Sequence, residues 1–538
     1  MAEQIPQEDP RARPERLERD RVERMASQDR APSNRRAAVL VAVLTLVAAA
    51  LRLYHLGHKS LWLDEAICYW ASQADWARIP DVNRSVRATP PLYTFLIHAV
   101  SRFGDSEAWL RAPAWLAGVA AVPASYGLGR RFLPAGAAAF VALLPTFAAS
   151  QVELSQRVSE YALALLLATL ICLAFARFME SPSARAGVPL ALLLPLGAAV
   201  HYGMVPLIVG LDLAFLIELR RYHAPRPALA MWAGVHLPLL LATVLVFDRL
   251  GIGHRLRAGG VGRHDYLATA YWDGSALSLA RLGLSRTLLL FDYAHPMRQL
   301  LLLLAGVGLL GTWREREGRR AATMLLAVFG VTLAAALGGL YPYDGRRHVF
   351  FLLPMIYVLA GLGFVYVARL APAARAWPLT LTLVALVLLG GLRESLQELR
   401  TTDPEHLRPV VEALAAARQP GDGLYVYSMA TPAFRYYEQR HEAAAGARLR
   451  AGVGEWLHAA LRGSDRSARD TAALDAALAT SERTWLVFSH CEGTRCEPLV
   501  LRAASRAELE TVETQTDATL YLARARSGQP ASPKASAE

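Results

Sequence analysis

Apolar stretches of roughly 17–25 residues recur between positions 37 and 392, and they limit the folds open to this chain more than any other feature. A helix of that length crosses the hydrocarbon core of a bilayer. Repeated runs separated by arginine-rich turns therefore describe a polytopic membrane protein. Composition agrees: the 538 residues are 54% hydrophobic and 19% charged, too apolar for an ordinary soluble multidomain chain. The formal charge of +11 is not a nucleic-acid footprint. Its cations are nearly all arginine, Lys59 and Lys534 being the only lysines, and many flank apolar runs as the positive-inside rule requires. No base-stacking motif is interleaved with them, which excludes nucleic-acid binding.

Following the arginines gives an orientation. Arg35-Arg36 precede the run at 37–54, placing the N-terminus in the cytoplasm and residues 55–108 outside. Runs at 109–128, 133–149, 161–178, 188–201, 202–219, 228–247, 300–313, 322–340, 349–370 and 378–392 then alternate consistently, provided that 90–103 lies along the interface. The expected fold is a polytopic α-helical protein of about 11 spans in the cell membrane, with a C-terminal extracytoplasmic α/β domain. Residues 1–36 read as a disordered cytoplasmic tail, 37–393 as the membrane domain with a second outer loop at 249–296, 394–525 as the soluble domain and 526–538 as a disordered tail. Within the soluble part, 424–427 and 485–488 read as buried strands, and 409–418 and 468–479 as amphipathic helices.

Against this scaffold stands Ser60-Leu-Trp-Leu-Asp64-Glu65-Ala66, a carboxylate pair just beyond the first span. Such a pair sits where desolvation tunes its pKa, so one member suits the role of general base. The plainer reading is an acidic first turn of an interfacial helix. Three polar groups share the outer side: Gln156-Arg157 with Tyr161, His201-Tyr202, and Asp344-Gly-Arg346-Arg347-His348. Arg346 and Arg347 run against the positive-inside trend, and an outer arginine is placed to grip a phosphate, a lipid headgroup or Asp344. His201 reads equally as a satisfied interfacial histidine. In the long loop, His254, His264, Asp265, Asp273, Asp292 and His295 match no ligand spacing, and the chain holds no Asp-x-Asp pair, so no metal or other cofactor is expected. Cys491 and Cys496 are open to three readings: a bridge, two free thiols, or two ligands of a metal with His490. Cys68 and Cys172 read as small hydrophobes.

The ordered series Ser60-Leu-Trp-Leu-Asp-Glu-Ala, Pro90-Pro-Leu-Tyr93, Phe103-Gly-Asp-Ser-Glu-Ala-Trp-Leu-Arg111-Ala-Pro113 and Gly129-Arg-Arg-Phe132 resembles the protein O-mannosyltransferase-like, GT-C-type glycosyltransferases, among them bacterial enzymes similar to aminoarabinose transferases. Arg347-His348-Val-Phe-Phe-Leu-Leu-Pro354 is similar to that group's Arg-Tyr-…-Pro start of a late span, with His348 in the tyrosine position. Two positions depart from the pattern. Ser159 stands where the group often has arginine, with Arg157 nearby, and Thr89 precedes the Pro-Pro pair where relatives often carry His or Lys. The resemblance implies a polyprenyl-phosphate-linked sugar donor and inverting transfer to a lipid, glycan or protein acceptor outside the membrane. It further implies Asp64 as base with Glu65 as partner, Arg347 on the donor phosphate with Arg346 or Arg157 assisting, and Tyr93, Gln156, Tyr161, His201, Tyr202 and His348 as substrate-site candidates. The competing class is a non-enzymatic homologue, either a lipid-linked-sugar transporter or a scaffold. A transporter would rely on buried intramembrane charge, of which Asp212 is the lone clear acid.

Overall fold

A computed structural model describes residues 34–87, 89–222, 226–250, 267–313, 315–401, 405–441, 453–461, 466–491 and 495–526. Most of the expected N-terminal tail, His254, His264 and Asp265 of the long loop, and the C-terminal tail from 527 lie outside the described residues. The helices in chain order are α1 (Asn34–Leu53), α2 (Leu63–Ser72), α3 (Ile79–Val86), α4 (Leu92–Ser101), α5 (Glu107–Gly129), α6 (Ala135–Thr146), α7 (Ala149–Ser155), α8 (Tyr161–Glu180), α9 (Ala184–Val200), α10 (Met204–Tyr222) and α11 (Arg226–Leu250). They continue as α12 (Ala276–Ala294), α13 (Arg298–Gly311), α14 (Arg316–Leu337), α15 (Leu353–Leu370), led in by a 3₁₀ turn over Arg347–Leu352, and α16 (Ala373–Arg400).

The protein is a polytopic, largely helical membrane protein. Among the described residues five helices are long and apolar enough to cross a membrane, or seven if the bent pairs α6–α7 and α12–α13 each make one span. The sequence indicated about eleven runs, and each of them falls on a helix. The other four counted from sequence were α5, α9, α10 and α11. The apolar stretches of α9 and α11 are shorter, α5 is diluted by Gly, Pro, Ser and Tyr, and α10 carries Asp212, Glu218, Arg220 and Arg221. Helix α4, at 10 residues, is too short to span.

Bends and close crossings have identifiable causes. Pro145 ends α6, and the chain turns by 62° into α7. The carbonyls of Pro145 and Thr146 accept hydrogen bonds from the buried Arg52 guanidinium at 2.7 and 3.2 Å. Helices α13 and α15 cross on glycine: a Cβ on Gly308 would meet the Leu359 carbonyl at 1.9 Å, and one on Gly363 the Leu304 carbonyl at 1.9 Å.

Beyond α16 come α17 (Leu407–Ala417), β1 (Gly423–Val426), α18 (Thr431–His441), α19 (Val453–Leu461), α20 (Arg466–Thr480), β2 (Arg483–Ser489), α21 (Glu497–Arg506), β3 (Ala507–Gln515) and β4 (Ala518–Ala525). The four strands order as β1-β2-β4-β3, with β1 and β2 parallel and the other pairs antiparallel. Strands β1 and β2 fall where the sequence indicated, whereas β3 and β4 form a hairpin that it did not. Helix α16 runs on to Arg400, past the expected boundary at 393. Cys491 and Cys496 are joined by a disulfide, which decides among the three readings. One face of the C-terminal sheet has a core of its own, with Tyr425, Leu474, Leu486, Phe488 and Leu499, and the other shares one with the first loop. Leu61, Trp70, Ile97 and Leu110 of the first loop and its flanking helices pack in one buried cluster with Val410, Leu414, Tyr436, Leu457 and Trp485.

Candidate active site

The carboxylate pair opens α2, and helical geometry sends its members apart. Glu65 is 1% exposed and bonded on both oxygens: Arg111 donates Nε to Oε1 at 2.9 Å and Nη2 to Oε2 at 2.8 Å. The Val158 amide adds a third bond at 2.7 Å. Arg111 in turn ties down the carbonyls of Leu56, Lys59 and Ser60. A carboxylate so engaged anchors the start of α2 beside Asp64, whose partner it was expected to be, and it also lines the cavity described below. Asp64, by contrast, has a side chain 52% exposed, and its nearest cation is Arg347, whose Nη1 lies 3.6 Å from Oδ2.

Asp64 faces a cavity of about 800 Å³ lined from α2, the turn after α3, α7, the start of α8, the turn after α9, α12, the 341–348 segment and the end of α16. The Arg347 guanidinium lies over the rings of Trp62 (5.9 Å) and Tyr161 (5.7 Å). Arg157 covers the Trp62 ring at 4.7 Å and pairs with Glu153 at 2.8 Å. These contacts hold two cations in place over aromatic faces. Gly345 makes the 341–348 turn with φ +72°, and a Cβ there would meet the Arg286 carbonyl at 2.2 Å. Asp344 fixes the turn by accepting from the Arg346 amide (3.0 Å) and His348 Nδ1 (2.6 Å). Burial alone would raise the Asp344 carboxyl; His348, the Arg346 amide and Arg347 together hold it below its ordinary value. Arg346 itself is exposed on the cavity rim.

Tyr161, His201, Tyr202 and His348 also line the cavity. The Gly203 amide donates to His201 Nδ1 at 2.9 Å, so that nitrogen is unprotonated. Burial pushes the imidazole down to about 4 against the pull of Glu160, and His201 serves as a neutral wall. Two candidates are placed elsewhere. Gln156 is buried and donates to the carbonyls of Arg52 and Tyr54, closing the end of α1. Tyr93 is 1% exposed and is not among the residues lining the cavity.

The sequence reading missed a second buried ion pair in the wall, Arg87–Glu160 at 2.5 Å, with side chains 8% and 4% exposed. Arg87 also donates to Cys68 Sγ at 2.5 Å. A signal existed: Arg87 lies just upstream of the Pro90-Pro91 pair, two residues before Thr89. Of the long loop, Asp292 reaches the cavity, Asp273 accepts from the Ser275 amide, and His295 is buried against α16 at Gly391. Among the described residues no three His, Cys, Asp or Glu side chains gather as a metal-ligand group.

Fold and cavity together define a polytopic helical membrane protein with a polar-lined cavity between its first loop and the 341–348 segment. The sequence model of the dolichyl-phosphate-mannose-protein mannosyltransferase family matches residues 88–247. The structure is similar to that of ArnT from Cupriavidus metallidurans bound to undecaprenyl phosphate, with a TM-score of 0.54 and 14% identity over 90% of this chain and 97% of that one. It is similar also to ArnT from the same organism in the apo state, with a TM-score of 0.52 and 13% identity over 90% and 98% of the two chains. No curated protein matches the chain by sequence. The chain thus carries a segment similar to that mannosyltransferase family and has a fold like that of ArnT.

Proposed function

We propose that the protein is a glycosyltransferase that moves a sugar from a polyprenyl-phosphate-linked donor to an acceptor on the extracytoplasmic face of the cell membrane, with inversion. The observation that carries this reading is Asp64, half exposed at the wall of a roughly 800 Å³ polar cavity, with the Arg347 guanidinium 3.6 Å away. A base for the acceptor and a cation for the leaving phosphate thus sit within reach of one sugar. The family match and the likeness to a protein crystallised with undecaprenyl phosphate support the donor class.

In this reading the acceptor hydroxyl attacks C1 of the sugar from the face opposite the phosphate. Its proton passes to Asp64, and the C1–O bond breaks with its electron pair leaving on the polyprenyl phosphate. Arg347, with Arg157 and Arg346 beside it, meets that charge. Base assistance contributes about 10²–10⁴-fold, and donors preset on the leaving charge contribute comparably. No metal is required in this scheme, because arginine meets the phosphate charge. A transporter would put intramembrane charge to use, but Asp212 is engaged by Trp232 Nε1 and His236 Nε2, both at 3.1 Å.

The test is turnover of labelled polyprenyl-phosphate sugars by protein reconstituted in lipid, wild type beside Asp64→Asn and Arg347→Ala. Release or transfer of sugar by the wild type, lost in both variants, is expected. Full turnover in Asp64→Asn would remove the base from the scheme, and a wild type that binds but never consumes any donor would favour a non-enzymatic role.

A further inference from the structure

The turn that aims Asp64 is built with parts from the other end of the chain. Residue Trp62 precedes α2 at the N-cap position, and its side chain makes no capping hydrogen bond. The amides at this end therefore need acceptors from elsewhere. Leu61 N–H donates to Tyr437 Oη at 2.6 Å, and Leu63 N–H donates to Glu405 Oε2 at 2.9 Å. Only Trp62 N–H turns to a local group, Glu65, over a long 3.4 Å. Ser60 Oγ, one step earlier, accepts from the Arg408 amide at 3.2 Å and meets His406 Nδ1 at 3.0 Å.

Glu405 is the pivot of this clamp. It is 3% exposed, and its other oxygen is held by His490 Nδ1 at 2.5 Å. His490 adjoins the Cys491–Cys496 bridge and has φ +59°, an unusual conformation for a residue with a side chain. Burial raises the Glu405 carboxyl above its ordinary value, with His490 pulling the other way. Either protonation state keeps an oxygen to accept the Leu63 amide.

We infer that Glu405, seated by His490, is a positioning residue that caps α2 through Leu63 and so sets the direction in which the next residue, Asp64, enters the cavity. The inference rests on the reading of Asp64 as the base. Glu405 is not among the residues lining the cavity and acts through the backbone of α2 alone. A small change in the aim of a base costs rate far more than substrate affinity.

The experiment pairs two readouts on full-length protein in lipid, for wild type, Glu405→Ala, Glu405→Gln and Asp64→Asn. The first is hydrogen exchange over residues 60–66, which needs no substrate. Glu405→Ala is expected to speed exchange at the Leu63 amide, while Glu405→Gln, which keeps an acceptor oxygen, stays near wild type. The second is turnover of the labelled undecaprenyl-phosphate sugar that the wild type consumes. Glu405→Ala is expected to lower kcat by roughly ten- to a hundredfold with KM for the donor unchanged, and Gln to restore most of it. Unchanged exchange in Glu405→Ala overturns the capping role. Faster exchange with wild-type kcat, beside an inactive Asp64→Asn, overturns the positioning role alone. Full activity in Asp64→Asn instead overturns the base assignment on which both rest.

Discussion

Asp64 and Glu65 are neighbours in sequence and differ in every physical respect that matters. Removing one partner of a buried, doubly bonded ion pair leaves the other charge stranded, at a cost of about 3–5 kcal/mol. Glu65→Ala should therefore lower the thermal midpoint of the purified protein steeply, through Arg111 and the three carbonyls that Arg111 holds. The half-exposed Asp64 carries no such load, so Asp64→Asn should change stability by only about 0.5 kcal/mol or less while abolishing turnover. Differential scanning fluorimetry beside a transfer assay separates the two, and equal melting of both variants would contradict this division. His201 gives a prediction in pH. Its folded value, near 4 against an ordinary 6.5, means that the unfolded chain binds the proton first. Stability is complete above about pH 6.5 and falls as pH drops toward 4, by roughly 3 kcal/mol at full effect. His201→Gln should flatten that slope in melting curves taken between those limits.

At the scale of elements, what was legible followed periodicity, and what was not followed tertiary pairing. The long apolar helices and the buried strands β1 and β2 stand out because unbroken hydrophobic runs carry their own signal. Strand β3 reads Ala-Glu-Leu-Glu-Thr-Val-Glu-Thr-Gln; it lies at the sheet edge with most side chains facing solvent, so its composition resembles a loop. The cavity was half legible. Arg347 and Asp64 sit at the ends of elements that the sequence located, but nothing local reveals that Glu65 meets Arg111 or that Arg87 meets Glu160. Those pairs depend on how helices far apart in sequence cross. The glycines at such places make a sharper forecast than the charges. Gly345 needs its positive φ and has the Arg286 carbonyl against it, so Gly345→Ala must displace the Arg346-Arg347 turn. Transfer should fall by an order of magnitude or more in this variant. Gly363→Val instead overpacks α15 against α13, far from the cavity, and should cost about 1–3 kcal/mol of stability. Its kcat should stay unchanged in whatever protein folds.

At the scale of the molecule, the C-terminal domain and the first loop share one buried cluster and should therefore unfold together. Trp70 shows why. It is fully buried, donates Nε1 to the Pro432 carbonyl at 2.9 Å, and meets Trp456 edge-on at 5.3 Å. Arg408 and Arg440 both pair with Glu107 at the start of α5, adding charge to the same seam. A domain attached only by a linker would unfold without regard to the loop beneath it, whereas a shared core makes each side's stability depend on the other. Trp70→Ala removes a large ring from that core and should cost about 3–5 kcal/mol. The consequence to look for lies away from the substitution. Limited proteolysis should show faster cleavage within 407–441 of the C-terminal domain, although no residue there has changed. Cleavage in that segment at the wild-type rate, with the loop alone loosened, would mean that the two parts melt separately. The capping of α2 from Glu405 would then lack the rigid support it needs, because an acceptor on a domain free to leave cannot fix the direction of Asp64.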